Sequence, residues 1–146
     1  MLGGAMSWLE LLFASAAVLA ADQVSKRRVL AEPRFAAVLA QRPFVSIHCV
    51  LNRRPAVISL SDTGVVAAWV LCAALALFAL EQEPVAASSL AMIGIGLVLG
   101  GVSGNVVDLL WRGGIVDFIA IGPWPIFNLA DAAIVCGLAL TILALV

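Results

Sequence analysis

Tyrosine is absent from this 146-residue chain, histidine occurs once, and charged residues make up only 12% of it. Charge this sparse excludes an ordinary water-soluble domain, in which about half the residues are apolar and about a quarter charged. Here 64% are hydrophobic and the mean hydropathy is +1.14. A water-soluble core of this size cannot hide so much apolar surface, so lipid is the expected solvent. The net charge is −1 and no basic patch is interleaved with aromatics, so no nucleic-acid partner is expected. Cysteine is scarce too: Cys49, Cys72 and Cys136 match no metal spacing and read as small hydrophobes. The lone His48 has no evident metal partner, and no serine has an evident base beside it. No Lys or Arg precedes the first apolar run, so that run does not read as a cleavable signal peptide. The glycines of "GIGLVLGG" lie within an apolar run rather than after a strand, which suits helix packing better than phosphate binding.

Long hydrophobic runs are what the chain does have. Four of them, about 5–21, 63–80, 85–107 and 124–146, are long enough to cross roughly 30 Å of hydrocarbon. Each is expected to be helical, because backbone in lipid must satisfy its own hydrogen bonds. The expected fold is an all-α membrane protein of four transmembrane helices, a single domain over 1–146. "EQEP" makes a tight turn between the second and third runs. The forty or so residues between the first and second, 22–62, are expected to form a small, partly β platform on the membrane surface. Alternation in "FVSIHCVLN" supports a short strand there, and "AEPRFAAVLAQRP" suits an interfacial helix. Trp111 and Trp124 flank expected membrane ends, where indoles settle.

Against this apolar background, acids stand out. Asp22 closes the first run in "ADQVSKRRV", with Lys26 four residues on as a helical partner. Asp108 ends the third run, with Asn105 one turn earlier as a candidate hydrogen-bond partner. Asp117 lies in the loop "GGIVDFIAIG", and Asp131 lies inside the fourth run with Asn128 one turn before it. Ionisable groups at membrane depth point to function by default; the bland alternative is a buried polar cluster that holds helices together. Two carboxyls brought close cannot both ionise, which leaves one carboxylate and one acid at neutral pH. Such a pair can draw a proton from water and protonate a carbonyl oxygen or a leaving nitrogen, which is amide hydrolysis by general acid–base chemistry.

"ADQVSK", "GNVVD", "IVDF" and "PIFNLADAAIV" occur in that order, each near an expected membrane boundary. Their order and spacing resemble the lipoprotein signal peptidases (signal peptidase II), a family of four-helix membrane aspartyl proteases, over essentially the whole chain. The resemblance implies removal of signal peptides from diacylglyceryl-modified prolipoproteins, with cleavage just before the lipidated cysteine. It implies Asp117 and Asp131 as the catalytic pair. It implies that Asp22, Lys26, Asn52, Asn105, Asp108 and Asn128 support or line the site, with no metal and no organic cofactor. Its implied partners are the lipid-modified prolipoprotein substrate, membrane lipids and globomycin-like peptide inhibitors. Its implied location is the bacterial cytoplasmic (inner) membrane, with cytoplasmic termini and a site near the extracytoplasmic face. The charge count alone argues the opposite orientation, since all eight Lys and Arg residues fall within 22–62 or at Arg112. A platform lying on anionic headgroups reconciles the two.

The chain departs from the family pattern at two motifs, and its stretch between Asp117 and Asp131 is short compared with many members. "NRRPAV", from Asn52 to Val57, stands where the family usually reads "NxGAAF", and Leu109 stands where the family carries Arg after the "GNxxD" aspartate. Arg112, or Arg53 and Arg54, is a candidate to take that arginine's place. These departures keep a second reading open, a catalytically weak paralogue that binds lipoproteins or peptide inhibitors without efficient cleavage. A proton relay or small transporter is a third reading, for which four spans leave little room.

Overall fold

The computed structural model describes residues 2–31, 45–52, 62–82, 85 and 88–146. Within these, the order is α1 (Leu2–Ala31), β1 (Val45–Asn52), α2 (Asp62–Leu80), α3 (Ser89–Arg112), β2 (Ile115–Ile121) and α4 (Leu129–Leu145). The chain is mostly helical with one small sheet. Two helices, Trp8–Ala31 and Ser89–Arg112, are long and apolar enough to cross a membrane; the apolar stretches Trp69–Phe78 and Leu129–Leu145 are shorter. Large apolar side chains such as Leu12, Phe13, Leu77, Phe78, Ile142 and Leu143 point outward. That is the surface expected of helices whose solvent is hydrocarbon.

The central element is α3, which packs against α1 on one side and α4 on the other. Its small residues make this possible, because a Cβ would collide with backbone on both sides. At Gly100 it would sit 2.5 Å from Ser15 O of α1, and at Gly101 2.5 Å from Ala130 O of α4. Helices can thus approach to backbone contact, the packing available where no hydrophobic drive exists between them. Leu11, Val85, Ala91, Met92 and Ile95 form the buried apolar cluster at one end. Glu10, the one charge in the first apolar run, accepts a hydrogen bond from Ser89 Oγ at the start of α3 (3.1 Å). Trp69 Nε1 of α2 donates to Ser103 Oγ of α3 at 3.0 Å.

Several element boundaries differ from those read in the sequence. The first helix does not stop at 21 but continues to Ala31, taking in Asp22 and Lys26. "VSKRRVLA" contains good helix formers, and the buried Asp22–Lys26 pair at i,i+4 supports the extra turns. The third run begins later and ends later, with Ser88 as N-cap and Gly113, at φ +67°, as C-cap. The fourth helix starts at Leu129 rather than 124, so Asp131 sits in its first turn and not deep in a span. Asp117 is not in a loop but in the middle of β2. The readings made for 32–44, Arg53 and Arg54 lie outside the described residues, as does the His48 side chain.

β1 and β2 pair antiparallel, so the expected strand has its partner far along the chain, after α3. The pairing carries an irregularity. Ile47 lies opposite Ile119, yet Val50 lies opposite Asp117, so β1 holds one residue more than β2 between these pairs. Because side chains alternate faces, one extra residue turns the rest of β1 over relative to β2. A continuous register would set Asn52 opposite Gly114, on the face away from Asp117. The bulge instead sets it opposite Ile115, on the same face as Asp117.

Candidate active site

Each acid is brought in by a distinct local device. After β2 the chain turns at Gly122, whose φ is +50°, and Phe127 returns to bridge Ile119. Phe127 N donates to Ile119 O at 3.0 Å, and Ile119 N donates to Phe127 O at 2.8 Å. This hairpin lays residue 128 beside the middle of β2. Asn128 then caps α4: its Oδ1 accepts from Asp131 N at 2.9 Å, while Asp131 Oδ2 accepts from Asn128 N at 3.2 Å. This reciprocal capping box fixes Asp131 at the third helical position. The Asn128 side chain faces the strand as well, and its Nδ2 donates to Asp117 Oδ1 at 2.8 Å. One residue therefore holds both carboxyls, Asp117 through its side-chain amide and Asp131 through its backbone N–H.

Neighbouring amides complete the arrangement. Asn52 Nδ2 of β1 donates to Asp117 Oδ2 at 3.2 Å. Asn105 Nδ2 of α3 donates to Asp131 Oδ1 at 2.8 Å, and Asn105 Oδ1 accepts from Asn128 Nδ2 at 3.1 Å. Asn105 was expected to bond Asp108; it reaches across to α4 instead, because Asp108 is occupied by other donors. Asp117 is buried and Asp131 is partly open. Burial pushes the Asp117 carboxyl above its ordinary value of 3.8. Hydrogen bonds from Asn52 and Asn128 oppose this, the charge of Asp131 reinforces it, and Lys26 weakly counters it.

Beneath the two acids lies a second, fully buried cluster. Lys26 Nζ contacts Asp22 Oδ2 at 2.8 Å, Asp108 Oδ2 at 2.8 Å and Asn105 Oδ1 at 3.1 Å. Its three N–H donors thus have three acceptors. Both partner acids reach onward to backbone. Asp22 Oδ1 accepts from Ala130 N at 3.1 Å, a cap on α4 supplied from α1. Asp108 Oδ2 accepts from Val116 N at 3.0 Å, next to Asp117 on β2. Arg112 Nη1, one helical turn further along α3, pairs with Asp108 Oδ1.

All eight residues singled out in the sequence are joined in one hydrogen-bonded network: Asp22, Lys26, Asn52, Asn105, Asp108, Asp117, Asn128 and Asp131. Gln23 escaped the sequence reading, although it stands inside "ADQVSK". Its Nε2 reaches Asp22 Oδ2, Gly104 O and Asp108 Oδ1, each at 3.1 Å. Ser103 also escaped, and nothing in its sequence context marks it. Among the described residues no group of three or more His, Cys, Asp or Glu side chains is placed to hold a metal ion. The three cysteines are free, and none is buried.

A buried acid beside a half-open one is brought by strand and helix to the same end of an apolar bundle, and solved bacterial membrane enzymes share this fold. One bacterial membrane enzyme, determined by the in meso method at 2.3 Å resolution, superposes with a TM-score of 0.75 at 25% identity, covering 92% of this chain and 86% of that one. A second, at 1.9 Å, gives a TM-score of 0.72 over 93% of this chain and 92% of that one; at 23% identity it supports the fold alone. Residues 14–146 match the family described as signal peptidase (SPase) II, and the chain belongs to that family. Lipoprotein signal peptidases of Azoarcus sp. (strain BH72) and Burkholderia mallei (strain SAVP1) are 34% and 33% identical to it. These matches cover 95% and 96% of this chain and 82% and 88% of the relatives. The lipoprotein signal peptidase of Syntrophomonas wolfei is 53% identical, over 51 residues that make up 34% of its length.

Proposed function

We propose that this chain is an aspartyl endopeptidase with four membrane-spanning helices that removes the signal peptide of diacylglyceryl-modified prolipoproteins, cutting before the lipidated cysteine. The observation that carries the reading is Asn128, whose side-chain amide holds the Asp117 carboxyl while its backbone N–H holds the Asp131 carboxyl. Asp117, buried and shifted toward its neutral form, is the acid; Asp131, the more open of the two, is the base. A water between them gives a proton to Asp131 as its oxygen bonds the scissile carbonyl carbon. Asp117 gives its proton to the carbonyl oxygen, and a neutral tetrahedral diol results. Asp131 then passes its proton to the leaving nitrogen, the C–N bond breaks, and a diol hydroxyl returns its proton to Asp117. The pair ends as it began, with one proton between two carboxyls.

The substrate's acyl chains would lie in apolar surface between helices, and the residues after α1 would hold the peptide on the extracytoplasmic side, with both termini cytoplasmic. Globomycin-like peptides would compete for the same place. The test is conversion of a diacylglyceryl prolipoprotein by purified protein in detergent or liposomes. Asp117→Asn and Asp131→Asn should each lower turnover by at least about a hundredfold while the protein still inserts and folds. Wild-type cleavage by both variants would remove the dyad.

The altered segment after Asn52 favours one second reading, a paralogue that binds lipoproteins or peptide inhibitors with little turnover. Tight binding of a lipidated peptide by the unmodified chain, with no product formed, would select it.

A further inference from the structure

We infer that Arg112 is a positioning residue for Asp117, acting together with Gln23 through Asp108. The inference rests on the reading of Asp117 as half of the dyad. Arg112 closes α3, and one nitrogen, Nη1, serves two acceptors on two elements: Asp108 Oδ1 on its own helix and Gln23 Oε1 on α1, the latter at 3.0 Å. Gln23 Nε2 in turn donates to Asp108 Oδ1 at 3.1 Å, so the three side chains close a triangle. The outcome for Asp108 is complete saturation. Gln23 and Arg112 hold Oδ1, Lys26 and Val116 N hold Oδ2, and a carboxylate has about four such acceptor sites.

The bond to Val116 N matters for chemistry. Val116 immediately precedes Asp117, and this bond fixes the height of β2 at the point where the strand leaves the Gly113–Gly114 turn. A turn with two glycines and a left-handed Gly113 has little stiffness of its own. Its geometry is set from outside, by a carboxylate that cannot rotate while both its oxygens are held. Releasing Oδ1 lets the Asp108 carboxyl turn and moves the strand that carries Asp117. Arg112 itself does not reach Asp117 or Asp131, and its side chain is 18% exposed. The ordinary role for such a residue is a cation at a helix C-terminus. That role needs neither Asp108 nor Gln23 and predicts an effect on stability alone.

The two roles separate in steady-state kinetics on a diacylglyceryl prolipoprotein. Arg112→Met should lower kcat by about tenfold to a hundredfold, the scale expected when a reacting group is displaced by about an ångström, with KM changed by less than about twofold. Gln23→Leu, which leaves the charges untouched, should lower kcat in the same sense. Arg112→Lys restores a charged donor to Asp108 and should recover most of the loss. If Arg112→Met does not fold, Gln23→Leu and Arg112→Lys carry the comparison. A kcat within about twofold of wild type in Gln23→Leu and Arg112→Met, or a change confined to KM, overturns the inference. Asp117→Asn in the same assay tells the two claims apart. If it still cleaves, the dyad reading fails. If it is dead while Arg112→Met and Gln23→Leu turn over normally, only the positioning role fails.

Discussion

At the scale of single residues, the two acids differ in surroundings more than in partners. Each accepts hydrogen bonds from asparagine, but Asp117 is buried beneath strand and hairpin whereas Asp131 opens at a helix start. Burial dominates for Asp117 and raises its pKa, so in the folded protein it binds a proton more tightly than in the unfolded chain. The sign follows directly. Protonated Asp117 favours the fold below its ordinary value of 3.8, and that contribution is lost as pH rises through the higher folded-state value. Asparagine does not titrate. The melting temperature of Asp117→Asn minus that of wild type should therefore become more positive as pH rises from about 4 toward neutrality. A difference that is flat across that interval would mean the carboxyl is not held toward its neutral form.

Among elements, the decisive feature is the extra residue in β1. It places Asn52 on the face of Asp117 and gives that acid its second hydrogen bond. Deleting Cys49 removes one residue from the irregular stretch and should return Asn52 to the opposite face. Its turnover should fall to that of Asn52→Ala, about tenfold below wild type for one hydrogen bond to a charged or charging group. Wild-type turnover after the deletion would show that the register does not matter. Packing of α3 gives a second expectation at this scale. A Cβ at Gly104 would lie 2.6 Å from Asp22 Oδ2, inside the buried cluster, whereas at Gly113 it would meet nothing within 4 Å. Gly104→Ala should lower thermal stability by about 1–3 kcal/mol, as overpacking does, and reduce cleavage with it. Gly113→Ala bears only the left-handed backbone strain, about 1 kcal/mol. Equal effects from the two would contradict the close contact of α3 with Asp22.

Across the molecule, the sequence revealed the parts of the site more readily than their arrangement. Acids and amides in apolar surroundings announce themselves, because charge at membrane depth is costly and rarely accidental. The Asp22–Lys26 pair was legible because helical spacing alone brings i and i+4 together. What composition and periodicity could not supply is contact between distant elements. Pairing of β1 with β2 spans the whole of α2 and α3, and the bulge that aims Asn52 depends on that pairing. Asn105 points to α4 rather than along its own helix for a similar reason: four donors from three elements already occupy Asp108. Gln23 has no signal of its own beyond its place between Asp22 and Lys26.

Lys26 draws these scales together. It is fully buried, and its three acceptors lie on α1 and α3, with the acids among them holding the starts of β2 and α4. Lys26→Met would leave Asp22 buried without a cation and Asp108 with Arg112 alone, a loss of about 3–5 kcal/mol by analogy with other broken buried pairs. Thermal unfolding would measure this, and a change within about 0.5 kcal/mol of wild type, the range of unremarkable surface substitutions, would show that the ammonium is dispensable. The same wiring ties the buried cluster to the order of assembly. With only α1 and α3 in place, Asp22 and Asp108 lack the backbone N–H groups of Ala130 and Val116, so the cluster is fully hydrogen-bonded only once β2 and α4 have joined it.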